Sequence, residues 1–279
     1  MPTTYTRQST TFSRMSEKMT TAAIPPQKTD PINKRYFKTV ERADSTADGL
    51  FYLAAALSFA ILFIDKTSSP AVLDIAQIAF VVLVFLLFVI GLASRLHWAA
   101  NALDARRKDL LSNAYGVPLT HEQTLGYYNN NETDPIRRLG VATLENTLFT
   151  RAITTEMAKR ERWRSGSYFI AFLVAAMYRH WDLAIAGAAA QVVFSEQIIS
   201  RWVRLEWLRS RSGRAFDGLY ALFQAPPARL PLHARALEWV AYYEASKEGS
   251  GITLSDKIFN KLNPSLTVEW ERIKELLKL

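Results

Sequence analysis

The chain has 279 residues, a formal net charge of +8 at pH 7, a sequence pI near 9.6 and a mean hydropathy of −0.02. It contains no cysteine, which excludes disulfide bonds, thiolate metal sites and thiol catalysis. A basic chain can bind nucleic acid, but in a membrane protein the same charge marks cytoplasmic flanks. The distribution of the charges therefore decides between the two.

The N-terminal part combines a polar tail with an apolar segment. Residues 1–30 are rich in Ser and Thr and have too little apolar surface to repay ordering, which predicts a mobile tail. A short amphipathic helix is predicted up to Asp48, and residues 49–64 are uncharged. We expect a first membrane span over about 49–66.

The longest apolar run covers residues 75–94, twenty residues without a charge. As a helix it reaches about 30 Å, the thickness of the hydrocarbon core of a bilayer. It predicts a second span over 73–95, joined to the first by the polar turn at 65–70 as an antiparallel hairpin. The alternative, a buried helix of a soluble protein, is rarely so long and so uniformly apolar.

Two shorter uncharged runs, 165–178 and 183–195, are each too short to cross alone. The flanking Trp163 and Arg179 can extend them, because tryptophan favours the membrane interface and arginine can reach it from within. A second hairpin is predicted, with spans over 163–180 and 182–199. A re-entrant pair or a buried soluble hairpin remains the alternative.

The remaining segments are polar and helical in pattern. In the central segment 96–162, Gly116 stops one helix, Thr120 begins a possible short helix, and a long helix begins near Val141. The C-terminal region 200–279 opens with an Arg-rich helix, and short helices are predicted at 233–247, 255–262 and 267–279. The predicted fold is all-α, with a four-span membrane region over 31–199 and a helical cytoplasmic body.

The basic residues set the predicted orientation. Of the 34 Lys and Arg residues, the two predicted hairpin turns hold only Lys66 and Arg179. The positive-inside rule therefore places both turns outside and both termini in the cytoplasm. This partition favours an even number of spans, because the loss of one span would move a basic segment outside.

Two groups of polar residues are candidate sites. Polar groups in lipid are expensive unless they face water or a partner, so the span residues are candidates for lining a pore or bridging helices: Asp74, Gln77, Gln191 and Glu196. The juxtamembrane arginines are candidates for binding lipid head groups or the phosphates of a nucleotide: Arg201, Arg204, Arg209, Arg211 and Arg214.

The pattern contains no catalytic or metal-binding motif. The four histidines are scattered, and there is no P-loop or nucleophile elbow. Asp104 and Asp109 are interpreted as ordinary helix-surface charges. We expect a protein that is not an enzyme, binds no nucleic acid, and needs no metal or cofactor.

Short motifs in the central segment carry a resemblance to a known family. They are Gly-Tyr-Tyr-Asn at 126–129, with Tyr127, Tyr128 and Asn129, and Leu-Glu-Asn-Thr-Leu-Phe-Thr at 144–150, with Glu145 and Asn146. With the two hairpins and the helical C-terminal body, the chain resembles the SMODS- and SLOG-associated four-transmembrane effectors from about residue 35 onward. The resemblance implies an antiphage effector of the bacterial inner membrane, which damages that membrane when a nucleotide messenger or a partner signals infection.

Small residues four apart, such as Ala56 with Ala60 and Ala184 with Ala188, favour close helix packing within one chain or a seam between copies in a homo-oligomer. Two other functions stay open. One is a membrane-anchored scaffold or sensor without a pore, and the other is a small-solute channel.

Overall fold

The computed structural model describes residues 29–65, 67–128, 130–177, 183–193 and 195–279. Within these ranges the α-helices are α1 (Lys38–Leu62), α2 (Pro70–Ala93), α3 (Ala100–Tyr115), α4 (Pro135–Met177), α5 (Leu183–Val193), α6 (Arg201–Gln224), α7 (Arg229–Ser250) and α8 (Asp256–Leu277). Short π-helical segments occupy Asn33–Phe37, Ser94–Ala99 and Glu196–Ser200. No β-strand forms in this part of the chain, where Thr29 and Leu125 make an isolated antiparallel bridge. The all-α prediction is confirmed, and most of the predicted tail lies outside the described residues.

The first predicted hairpin is present as α1 and α2. Pro70 occupies the start of α2, where its missing N–H costs no hydrogen bond. The continuous helices Asn33–Leu62 and Pro70–Tyr115 are both long and apolar enough to cross a membrane. In the second, most side chains of the apolar part are open to solvent, and Ala76 is buried. Two membrane-compatible helices are therefore established.

The second predicted hairpin corresponds to the end of α4 and to α5. Over the described residues neither passes the same test of length and apolarity, and residues 178–182 between them lie outside the description. α5 packs against both α4 and α1, so the two helical pairs are neighbours.

α4 is the spine of the polar body. It begins at Pro135, and the Oδ1 atom of Asp134 caps it by accepting the backbone N–H groups of Ile136 and Arg137 at 3.0 and 3.1 Å. α6 runs antiparallel along α4, and α7 and α8 complete the packing around it. The largest fully buried side chains of this body include Trp270 and Tyr243.

A row of buried threonines gives α4 a narrow face toward α6 and α7. Thr143, Thr147, Thr150 and Thr154 recur at intervals of three and four residues, and each is almost fully buried. Three of the four hydroxyls donate to carbonyls of α4 itself, while that of Thr150 lies 2.7 Å from the hydroxyl of Tyr243. The side chains of this face are therefore small, and their hydroxyl groups all have hydrogen-bond partners.

Two local predictions are wrong. The described residues of 117–134 form no helix, and the Thr120 hydroxyl accepts from the N–H of Glu122 at 3.4 Å in a turn instead of a cap. The predicted helices at 255–262 and 267–279 are one helix, α8, which continues through Pro264. Burial of Leu266, Trp270 and Ile273 against the core outweighs the hydrogen bond that the proline removes.

Candidate functional site

A polar cluster lies where α1, the π-helical segment after α2 and the start of α6 meet. We call it the boundary cluster and define it by Asp44, Asp48, Ser94, Arg201 and Arg204. Arg201 donates from Nη1 to Oδ2 of Asp48 at 2.9 Å, and the Ser94 hydroxyl donates to Oδ1 of Asp44 at 3.3 Å. The first bond joins the polar half of α1 to α6, which is distant in sequence, and the second joins α1 to the segment after α2.

Within the boundary cluster, Arg204 lies close to other positive charges. Burial lowers the pKa of Arg204, and the charges of Arg95 and Arg201 lower it further, whereas the carboxylate of Asp44 raises it. The guanidinium group nevertheless stays protonated at any physiological pH. Asp44 of α1 offsets part of the charge on Arg204, and Asp48 pairs with Arg201, so the approach of α1 to α6 is an electrostatic contact.

A second set of bonds ties α4 to the segment before α6. Arg164 donates from Nη2 to the carbonyl oxygen of Gln197 at 2.7 Å and lies 2.8 Å from the carboxylate of Glu161. The Ser165 hydroxyl donates to the carbonyl oxygen of Ile198 at 3.3 Å. The π-helical segment thus sits on α4 at the point where the polar half of α4 passes into its apolar half.

Glu206 links α4 to α6 by hydrogen bonds, about one turn of α6 beyond the boundary cluster. It accepts from Arg162 of α4, from Nε of Arg209 at 2.9 Å, and from Nε1 of Trp202 at 3.3 Å. The hydrogen bond from Arg162 is the main reason that the pKa of Glu206 lies below its ordinary value, with a further contribution from Arg209. Glu206 is therefore a fixed negative charge between the two helices.

The structure separates the five predicted arginines of α6. Arg201 and Arg204 belong to the boundary cluster, Arg209 binds Glu206, and Arg214 is exposed. They do not form one continuous basic surface.

Arg211 serves the packing of α6 on α7. Its Nε atom donates to the Ser246 hydroxyl at 3.1 Å, and its guanidinium carbon lies 3.9 Å from the centre of the Tyr242 ring. This stacking on an aromatic face, with a hydrogen bond at the edge, holds the two helices together.

Of the predicted polar residues within the spans, Asp74, Gln77 and Gln191 are exposed on the surface of the chain. Glu196 begins the π-helical segment before α6. Asp74 and Gln77 share one face of α2, so the chain presents them outward.

The first part of the family-like motif, at 126–129, lies in the loop between α3 and α4, and the second part, at 144–150, lies in α4. Asn129 is outside the described residues. Burial raises the pKa of Tyr127, and the charge of Glu145 raises it a little further. The two halves of the motif are therefore close enough for their side chains to interact. Tyr127 and Tyr128 pack edge to face at 5.0 Å, and the backbone carbonyl of Asn146 accepts from Tyr243 at 3.3 Å. Tyr128 also packs against the buried Leu110 and Leu139, and this contact anchors the loop on the body.

Arg106 holds this loop to the N-terminal end of the described chain. Its Nη2 atom lies 2.6 Å from the carboxylate of Asp30, and its guanidinium carbon lies 4.6 Å from the centre of the Tyr127 ring and 5.5 Å from that of Phe37. The sequence gives no local signal for this role, because the three partners come from separate segments.

Asp109 corrects an interpretation made from the sequence. It is not a surface charge but is 2% exposed, and its carboxylate accepts from the N–H and the hydroxyl of Thr124 at 3.0 and 2.7 Å. Asp104, by contrast, is exposed and pairs with Lys108 one turn away.

An open groove of about 410 Å³ lies between the end of α3 and the start of α4, with the lining residues Ser112, Asn113, Gly116, Val117, Pro118, Gln123 and Arg138. Arg138 donates from Nε to the side-chain carbonyl of Asn113 at 3.2 Å. In the described part of the chain, no group of three His, Asp or Glu side chains could hold a metal ion. Arg138 is the charged side chain of this lining.

Together these features define an all-helical protein with a membrane-compatible hairpin joined to a polar helical body by ion pairs. Comparison with models of protein families, with curated proteins and with solved structures gives no match to this chain.

Proposed function

We propose that the chain is a four-span protein of the bacterial inner membrane, an effector of antiphage immunity whose cytoplasmic helical body controls the packing of the two membrane hairpins. When a nucleotide messenger or a partner binds the body, the hairpins rearrange and permeabilise the membrane. The chain acts as a homo-oligomer, without enzymatic activity and without nucleic acid.

The apolar surface of the second helical pair supports four spans. Ile170, Val174 and Met177 on the apolar end of α4 are 63%, 65% and 84% exposed, an arrangement that is costly in water and ordinary in lipid. The packing of α5 on α1 would place both pairs in the same layer.

The observation that carries the proposal is the bond between Arg201 and Asp48. α4 continues from the body into the second pair, α6 follows α5 along the chain, and this bond connects the start of α6 to the first pair. A shift of α6 along the small, hydrogen-bond-satisfied face of α4 would therefore pull on both hairpins. Such a device needs two packings whose balance a ligand can change, and a narrow seam of small side chains opposes sliding less than interlocked large ones.

The messenger and the antiphage role rest on the resemblance of the motifs at 126–129 and 144–150. The excess of positive charge at the cytoplasmic face is compatible with an anionic messenger.

The test is a membrane-potential dye in cells that express the chain with its genetic neighbours during phage challenge. We expect depolarisation before lysis, and we expect Asp48→Asn to weaken it, because the amide removes the charge that Arg201 contacts. Asp217→Asn is the matched control, since Asp217 forms an exposed pair with Arg151 at 3.6 Å in the body alone. An intact potential in cells that still abort infection would refute the proposal.

A membrane-anchored sensor without a pore is the second candidate. The outward position of Asp74 and Gln77 favours it, because a single chain does not enclose them along an internal path. For an anchored sensor, Gln77→Leu and Gln191→Leu should leave the response unchanged. For a permeabilising effector, at least one of them should alter it.

A further inference from the structure

The side chains of α2 divide into faces of different environment. Most of those shielded from solvent recur at intervals of three and four residues and lie toward α1, the helix that packs along α2: Leu73, Ala76, Phe80, Leu83, Leu87 and Ile90. One side of α2 is thus already occupied within the chain.

A second face follows the same interval and is open. It consists of Asp74, Gln77, Val81, Val84 and Phe88, all exposed, and we call it the glutamine seam. At 3.6 residues per turn its centre lies about 100° around the helix from the face that meets α1. The seam holds both polar side chains of a helix that is otherwise apolar over Pro70–Ala93.

The third face, with Ile75, Ile78, Val82, Phe85 and Val89, is also exposed but wholly apolar. Lipid tails satisfy such a face without any partner. The two open faces therefore differ in chemistry and not in exposure.

Lipid tails cannot satisfy the hydrogen-bonding groups of the Gln77 side chain in the glutamine seam. Gln77 lies about 10 Å along the helix from Pro70, too deep for its amide to rely on interfacial water, whereas Asp74 is only about 6 Å from that end and can reach it. A carboxamide carries both donors and acceptors, so two copies related by a two-fold axis can satisfy each other. This self-complementarity selects a second copy of the chain rather than an unrelated partner.

We propose that the glutamine seam is the interface through which α2 of one copy packs against α2 of another, with the Gln77 amides hydrogen-bonded across the axis and Val81 and Val84 in contact below them. The inference rests on the membrane insertion in the proposed function, but not on the effector role.

The absence of cysteine from the chain permits a direct test, since each introduced thiol is unique. Four valines of α2 provide matched positions. Val81→Cys and Val84→Cys lie in the seam, at side chains that are 64% and 41% exposed, and Val82→Cys and Val89→Cys lie on the third face, at 49% and 42%. Each full-length variant is oxidised in isolated membranes, and the disulfide-linked dimer is measured on a non-reducing gel.

We expect linked dimers from the two seam variants and little from the two third-face variants. Adding Gln77→Leu to the Val84→Cys chain should weaken association about five- to tenfold, the loss expected for a hydrogen bond of roughly 1 kcal/mol between helices in lipid. Equal linking on both faces, stronger linking on the third face, no linking in the seam, or no effect of Gln77→Leu would each overturn the proposal.

Alkaline carbonate extraction of the same membranes distinguishes a failure of membrane insertion from a failure of the proposed interface. Release of the chain would refute membrane insertion, and with it the proposed function. Retention without linking in the seam would refute only the interface.

Discussion

Replacing Gly218 of α6 by alanine is expected to destabilise the body. A Cβ atom at this position would lie 2.2 Å from Cε2 and 2.3 Å from Cζ2 of Trp239, far inside van der Waals contact. The indole of Trp239 packs against the core and edge to face with Tyr242 at 5.4 Å, so it cannot simply rotate away. α6 and α7 must separate, or Trp239 must leave its site.

The expected change in the free energy of unfolding of Gly218→Ala is the sum of two opposing effects. Alanine in place of glycine within a helix gains about 1 kcal/mol, and overpacking a filled site costs about 3 kcal/mol at the upper end of its usual range. The net loss of about 2 kcal/mol corresponds to a fall in Tm of about 4–8 °C for a chain of this size.

Gly213→Ala is the control on the same helix. There the Cβ atom would meet only the Arg151 side chain at 3.9 Å, an ordinary contact, so the helix-forming gain should stand alone and raise Tm by about 2–4 °C. Thermal unfolding of the purified variants in detergent gives both values. If Gly218→Ala melts at or above Gly213→Ala, the close packing of α6 on Trp239 is wrong.

Three further predictions concern named bonds. Asp48→Asn and Arg201→Gln should each lower Tm by about 2–4 °C, as expected for a half-buried pair worth roughly 1 kcal/mol, and a double-mutant cycle with no coupling would contradict the contact. Asp134→Ala should cost about 1 kcal/mol as a lost cap in a melt at pH 7. Backbone hydrogen bonding lowers the pKa of Asp134. Its contribution to the free energy of unfolding should therefore be complete above the ordinary carboxyl pKa of about 3.9 and fade as the pH falls below that value. An equal loss of stability in Asp134→Ala at pH 7 and at pH 3 would contradict this. Thr150→Val should cost about 1 kcal/mol by removing the partner of the buried Tyr243 hydroxyl, as chemical denaturation can show, and an unchanged midpoint would argue against that bond.

The helical elements were predicted best where one property of the chain decides them. The uncharged run at 75–94 predicts α2 because no other regular structure keeps its backbone hydrogen bonds within so apolar a segment. Gly116 ends α3 in the left-handed conformation that glycine favours, as expected. The start of α4 could have been placed more accurately, because Asp134 before Pro135 is a cap followed by a first-turn proline.

The candidate site was predicted less well. The five arginines of α6 were treated as one surface, but helical phase alone sends Arg204 and Arg209 to different sides, and only their neighbours decide what each one binds. Asp109 was misinterpreted for a related reason. Its partner Thr124 lies in a loop whose path has no periodic pattern to predict it.

From its sequence alone, this protein shows that it is helical, where its most apolar helices lie, and in which segments its positive charge gathers, because helix length, apolarity and net charge are properties of short contiguous segments. Tertiary structure alone reveals that Asp48 meets Arg201, that α8 passes through Pro264, and that Gln77 faces outward while Ala76 is covered by α1. Those features depend on which surfaces are brought together across long stretches of chain. That choice is made by packing and by the compensation of charge, which no single segment contains.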